Sequence, residues 1–258
     1  LFGKTSVWYV VINSLEKLLT DRAIILAGGK GTRLKELVSD RPKPMADING
    51  KPFLYHQLKF LKRNRIKHFI ICTGYKGEYI KNYFGNDFYG CSVNYSHENK
   101  PLGTGGAVIK ALNDYKIIKP FILLNGDTYF PIDIGRLISF SYKKNAGICF
   151  SLFETSDYKR YLPLSLTEDG KLNIFLDQNF TDYSGLYNAN GGIYFIQPKL
   201  LKELKIKKNI FISLENEIFP LLFKNNSKIM GIKFNSSFID IGLPNDLKNI
   251  RKNMSLYI

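Results

Sequence analysis

Ala23-Ile-Ile-Leu-Ala-Gly-Gly-Lys-Gly-Thr-Arg33 is a buried-strand sequence that runs without a polar break into a loop containing Gly28, Gly29 and Gly31. Glycines in such a turn allow backbone conformations closed to other residues, and they let main-chain N–H groups approach an anion without a Cβ in the way. Thr32 adds a hydroxyl donor and Arg33 a planar fork. Lys43, inside Arg41-Pro-Lys-Pro44, adds a point charge on a loop stiffened by two prolines. Together with the backbone of Leu26 and Ala27, these groups make a cationic anion site suited to a triphosphate. The two commoner phosphate motifs do not fit. A P-loop needs Ser or Thr after Gly-Lys, but Gly31 follows Lys30, and the dinucleotide fingerprint needs glycine where Leu34 stands.

Strand-like and helical patterns alternate after this loop. Strands are expected at Ala23–Ala27, His68–Thr73, Ser92–Tyr95, Phe121–Asn125 and Ala146–Phe153, with crossover helices over Pro52–Asn64 and Gly105–Tyr115. Further on, β-like runs at Leu172–Leu176, Gly192–Ile196, Ile229–Phe234 and Phe238–Ile241 alternate with helices starting near Pro198, Ser213 and Pro244. The pattern is that of an α/β sheet with crossover helices. No internal repeat or biased linker divides it, so residues 21–258 read as one domain. Residues 1–20 stand outside the alternation as an N-terminal extension with no assigned role.

Composition narrows the functional classes. The longest apolar run near the start, Val7–Ile12, is far below the roughly 20 residues that span a bilayer, and no secretory signal pattern is present. The expectation is a cytoplasmic protein with no membrane partner. Cys72, Cys91 and Cys149 form no C-x-x-C pair, and His56, His68 and His97 are scattered, so neither a disulfide framework nor a zinc site is expected. The net charge of +15 suits nucleic acid or phosphorylated small molecules. Its lysines are spread along the chain, and Lys59–Lys67 and Lys202–Lys208 read as solvated helix faces and their exits, so no nucleic-acid partner is expected.

Two carboxylates complete the chemistry. Phe121-Ile-Leu-Leu-Asn-Gly-Asp127 sets Asp127 just past the C-terminal edge of a strand, where open α/β sheets bind ligands. Phe238-Ile-Asp-Ile-Gly242 sets Asp240 in an apolar run, an expensive place for an unpaired charge unless a metal such as Mg2+ accompanies it. Ser96-His-Glu-Asn-Lys-Pro-Leu-Gly-Thr-Gly-Gly-Ala107 puts Glu98, Gly103 and Thr104 at a second glycine-rich helix entry.

Leu26–Leu34 and Pro42–Pro44 resemble, without a gap, the L-A-G-G-x-G-T-R-L and P-K-P signatures of the sugar-1-phosphate nucleotidyltransferases. The form P-L-G-T-G-G-A, Asn190-Gly-Gly-Ile-Tyr194 and Phe238-Ile-Asp-Ile-Gly242 look closest to the D-glycero-D-manno-heptose 1-phosphate guanylyltransferases. The resemblance implies a Rossmann-like, three-layer αβα sandwich with a mixed, mostly parallel sheet. It implies a nucleoside triphosphate, GTP favoured, and a heptose or hexose 1-phosphate as partners, with a homo-oligomer compatible. It further implies that the loop from Leu26 to Arg33, with Lys43, holds the phosphates and that Arg33 and Lys43 assist transfer. Glu98, Gly103 and Thr104 would lie at the base, and Asp127 and Asp240 would hold magnesium. Positioning and charge neutralisation would carry the transfer, with no covalent intermediate.

The acceptor half departs from the family pattern. Tyr161, Asp177, Gln178, Asn190 and Gly191 fall at the sugar-phosphate positions. Yet Arg160-Tyr-Leu162 carries Leu where R-Y-G is usual, and Asp177-Gln178 replaces Glu-Lys. Glutamine donates hydrogen bonds but no charge, so the expectation is either weaker acceptor binding or a shift of the phosphate to a neighbour such as Lys171 or Arg160. The alternative is a nucleotide-sugar-binding paralogue with a regulatory role and an impaired acceptor site.

Overall fold

The apolar run forms strand β1 (Arg22–Leu26), with Ala23, Ile24 and Ile25 wholly buried, in a computed structural model that describes residues 20–29, 31, 40–174, 185–225 and 228–253. A short hairpin, β2 (Asp47–Ile48) and β3 (Lys51–Pro52), feeds α1 (Phe53–Arg63). Then come β4 (His68–Thr73), α2 (Gly77–Phe84), β5 (Asp87–Phe88), β6 (Cys91–His97), α3 (Gly103–Asp114), β7 (Phe121–Asn125), β8 (Thr128–Tyr129) and α4 (Ile134–Lys143). The second half holds β9 (Ile148–Thr155), β10 (Leu164–Leu166), β11 (Leu172–Ile174), β12 (Tyr187–Ile196) and α5 (Pro198–Glu203). A π-helical turn (Leu214–Ile218) runs into α6 (Phe219–Lys224), followed by β13 (Ile229–Lys233), β14 (Ile239–Asp240) and α7 (Pro244–Asn253).

Among the described residues, ten strands form one mixed sheet, in which β7, β1, β4 and β6 are parallel neighbours in that order and β12 joins antiparallel beside β7. Alternate residues of each strand face opposite sides. Ala23, Ile25, Phe69, Ile71, Ile122 and Leu124 pack on one side against α1, α2, α4 and α7. Ile24, Ile70, Phe121 and Leu123 pack on the other against α3, α5 and α6. This is the three-layer αβα arrangement that the resemblance implies. Each fully buried Leu, Ile or Phe contributes about 1.5–3 kcal/mol, so the two cores hold the sheet from both sides.

The division between faces follows from handedness. Right-handed crossovers put α1 and α2 on one face as the chain steps from β1 to β4 to β6. The chain then reverses to place β7 on the far side of β1, which sends α3 to the opposite face. A crevice at the C-terminal ends of β1 and β7 is the geometric consequence.

The expected strands all form, and β12 extends the Gly192–Ile196 reading back to Tyr187. Asn190, Gly191 and Gly192 mask that strand in the sequence because they lie at a bulge, where the register with β9 shifts between Asn190 and Tyr194 and Gly192 has φ +71°. The end of the Leu172–Leu176 reading lies outside the described residues. Helices α2 and α4 are additions; the latter was readable from Asp133, whose carboxylate caps it by accepting from Arg136 N at 2.9 Å. The three cysteines are buried and free, as expected. No helix among the described residues is long and apolar enough to cross a membrane.

Beyond β7, Gly126 N–H donates to Leu26 O at 2.9 Å, and a Cβ at Gly126 would overlap that carbonyl. Gly126→Ala is therefore expected to cost about 1–3 kcal/mol, seen as a lower urea midpoint at an unchanged slope.

Candidate active site

The glycine loop begins as a continuation of β1. Ala27 N–H donates to Cys72 O at 2.9 Å, and Gly28 O accepts from Tyr75 N at 3.3 Å, so the strand end is held by the β4 side before the chain turns away. Gly31 has φ +58°, and a Cβ there would press on Lys43 Cβ at 2.8 Å. The loop thus folds back onto the turn Lys43–Met45, whose Pro44 and Met45 are buried. Thr32 and Arg33 lie outside the described residues.

Lys43 is only 13% exposed along its side chain, and its Nζ meets Asp127 Oδ2 at 2.6 Å. Asp127 is presented by the turn between β7 and β8. That turn is held from below by Gln57 of α1, whose Nε2 donates to Asn125 O at 2.8 Å and Thr128 O at 2.7 Å. Sequence reasoning missed Gln57. Its signal was a polar side chain on the apolar face set by Phe53, Leu54, Leu58 and Leu61, where it is 1% exposed.

Asp240 arrives from the other end of the chain. β14 pairs antiparallel with β8 so that Asp240 faces Thr128, and Ile241 N–H donates to Asp127 O at 2.9 Å. Burial raises the Asp240 carboxyl above the usual carboxylate range; the Asp127 charge pushes it further, while Lys43 opposes both. Its Oδ1 accepts from Gly242 N at 2.6 Å, and its Oδ2 lies 3.4 Å from Arg160. Arg160 also forks onto Asp246 of α7 at 2.7 and 3.2 Å. Asp127 and Asp240 form an oxygen-only donor pair of the kind a hard divalent cation takes.

Lys43 and Asp127 line one side of a cavity of about 950 Å³ that also includes Gly28, Glu98, Gly103, Phe211 and Gly242, while Asp240 and Arg160 are not among its lining residues. Glu98 Oε2 accepts from Leu102 N at 3.0 Å, and its Oε1 abuts Gly28 and Gly74. Burial raises this carboxyl as well, with the Leu102 N–H partly offsetting it. The glycines at the start of α3 serve a neighbour as well as the cavity. A Cβ at Gly103 would come 2.5 Å from Ile212 O, and one at Gly106 would come 2.7 Å from Ile210 O. Gly105 and Gly106 N–H groups both donate to Ile212 O, at 2.9 and 3.2 Å. Thr104 is likewise engaged: its hydroxyl donates to Glu215 and accepts from Leu214 N.

The acceptor set does not gather in the same way. Tyr161 packs edge-on against Phe153 and Phe238, while Asn190 donates to Tyr194 Oη at 2.8 Å and accepts from Gly192 N at 3.0 Å. Gly191 lies under the Phe130 ring, where a Cβ would come within 2.5 Å. None of the three lines the cavity. Asp177 and Gln178 lie outside the described residues. Leu162 is 79% exposed, so the side chain that replaces glycine projects into solvent. Lys171 bridges to Met230, which aligns through Cys149 and Phe195 with Ile122, near the start of β7 and away from the end that carries Asp127. Of the two substitutes for the missing lysine, only Arg160 stands beside the carboxylates.

The chain matches the family model described as Nucleotidyl transferase over residues 22–255. It is 37% identical over 236 residues to D-glycero-alpha-D-manno-heptose 1-phosphate guanylyltransferase of Aneurinibacillus thermoaerophilus, covering 92% of this chain and 99% of that protein. It is 38% identical over 229 residues to the enzyme of the same name from Campylobacter jejuni, covering 87% and 96%. The crystal structure of HddC from Yersinia pseudotuberculosis complexed with GMP-PN superposes with a TM-score of 0.76 at 32% identity, covering 90% of this chain and 99% of that one.

Replacing Gln57 by Leu would leave the Asn125 and Thr128 carbonyls without their donor. The expected result is a loss of about 1–3 kcal/mol in chemical unfolding, with the fold retained by circular dichroism.

Proposed function

Because the chain belongs to the nucleotidyl transferase family, we propose that it transfers a guanylyl group from GTP to a sugar 1-phosphate of the D-glycero-α-D-manno-heptose type, releasing pyrophosphate. The observation that carries this reading is the meeting of Lys43, Asp127 and Asp240 at the crevice between β1 and β7, beside the glycine loop. The heptose and guanylyl assignments rest on the two relatives of about the same length. The working domain is residues 21–258, with residues 1–20 outside it.

The acceptor's phosphate is already an anion at neutral pH, so the attacking oxygen needs no general base. The chain's task is to hold two anionic groups in line and to neutralise charge as pyrophosphate leaves. The backbone of Leu26–Gly31, with Thr32 and Arg33, cradles the triphosphate. Lys43 exchanges its pairing with Asp127 for a phosphate oxygen. Asp127 and Asp240 hold Mg2+, which when bound supplies positive charge to the phosphate oxygens. Arg160, beside Asp240, takes the acceptor phosphate in place of the lysine that Gln178 replaces, while Tyr161, Asp177, Asn190 and Gly191 shape the sugar side.

Glu98 reads the base. Guanine presents N1–H and its 2-amino group as adjacent donors, which a carboxylate accepts, whereas uracil and thymine present one N–H flanked by carbonyl oxygens that a carboxylate repels. Leu102 N–H fixes one Glu98 oxygen, and Gly28 and Gly74 leave room for the other.

The first test is magnesium-dependent pyrophosphate release across a panel of nucleoside triphosphates and sugar 1-phosphates. Turnover is expected with GTP and the heptose 1-phosphate, and Asp127→Ala is expected to lose about 100-fold or more of kcat. GTP binding without release from any pair would instead support the paralogue reading. A second test uses Glu98→Gln, which is expected to cut the GTP-over-UTP ratio of kcat/KM about 10-fold or more. Burial raises the Glu98 carboxyl, so its charged form is lost as pH falls through that raised value, at a higher pH than for an exposed carboxylate. The wild-type GTP-over-UTP ratio should decline across that window, while the ratio for Glu98→Gln stays flat.

A further inference from the structure

Phe211 is 67% exposed and lines the cavity, yet it belongs to neither core cluster. The backbone that carries it is firmly held. Ile212 N–H donates to Leu102 O at 2.9 Å, Ile212 O accepts from both Gly105 and Gly106, Ser213 N–H donates to Glu217, and Leu214 N–H donates to the Thr104 hydroxyl. The glycines at the start of α3 exist in part to let this segment come so close. A large apolar ring is therefore presented to the cavity by a preorganised backbone, and no packing requirement explains it.

The position of Phe211 along the cavity follows from the same bonds. Leu102 N–H holds the Glu98 carboxylate, and Leu102 O holds the residue next to Phe211. On its other side the carboxylate abuts Gly74, whose neighbour Tyr75 also lines the cavity. Phe211 thus stands on the Leu102–Glu98 side of the cavity. What a rigid exposed aromatic can do beside a carboxylate that reads base edges is cover the flat face of that base.

We propose that Phe211 is a specificity-determining contact that stacks on the nucleobase of the donor, an inference that rests on the reading of Glu98 as the base-edge acceptor. Stacking adds affinity for nucleotides over bare polyphosphate, and Glu98 then selects among the bases.

The test is calorimetric titration of the full chain with GTP and, separately, with inorganic tripolyphosphate, which probes the phosphate end alone. Phe211→Ala should weaken GTP binding ~5- to 100-fold and leave tripolyphosphate binding unchanged. Phe211→Trp should retain GTP binding, and its fluorescence should be quenched by GTP but not by tripolyphosphate. GTP binding by Phe211→Ala at wild-type affinity overturns the proposal. So does a parallel loss of both ligands, a change confined to the KM of the sugar 1-phosphate, or a tryptophan at position 211 indifferent to GTP. A wild-type chain that binds tripolyphosphate but not GTP overturns the guanylyl reading itself.

Discussion

The parallel pairing of β1 with β7 is the contact on which the rest of the site depends. Two strands from different crossover units end side by side: α1, which follows β1, packs on one face, and α3, which leads into β7, packs on the other, so the segments that serve the two strands diverge. Gly28 and Gly126 make that divergence possible at close quarters. One leaves room for the Glu98 carboxylate and the Gly74 backbone, the other for the carbonyl of Leu26. A side chain at either position would force the strand ends apart and move the glycine loop relative to Asp127.

Electrostatics then sets the character of the crevice. Placing Asp240 in a partly buried site beside Asp127 is unfavourable for the Asp240 charge: burial first, and then the Asp127 charge, raise its carboxyl. Lys43 and Arg160 relieve it from two sides, each through ion pairs that join segments far apart in the chain. Neither cation is isolated from the framework: Lys43 rides on a proline-bounded turn, and Arg160 is braced by Asp246 of α7 and lies over the Tyr161 ring.

The Glu98 end of the cavity is built on a different principle, close backbone packing. Here the second half of the chain, through Ile210–Leu214, is hydrogen-bonded to the start of α3. Gly103-Thr-Gly-Gly106 looks in the sequence like a ligand loop, and it is also a docking surface for the protein's own chain. Glycine spacing carries the requirement for close approach, but it does not say what approaches.

What the sequence determined by itself was local and periodic. It contained the alternation of strands and helices, the glycine loop with Arg33 and Lys43, and the emergence of Asp127 past a strand end, because each depends on neighbours a few residues away. Asp240 was legible too, since a carboxylate in an apolar run needs a partner, although nothing in the chain named Asp127. Only the tertiary structure could bring those two together through β8 and β14, put Gln57 beneath the Asp127 turn, assign Arg160 and not Lys171 to the carboxylates, and leave the Leu162 side chain in solvent. These are contacts between residues remote in sequence, and they are decided by strand order and crossover handedness, which no local pattern encodes.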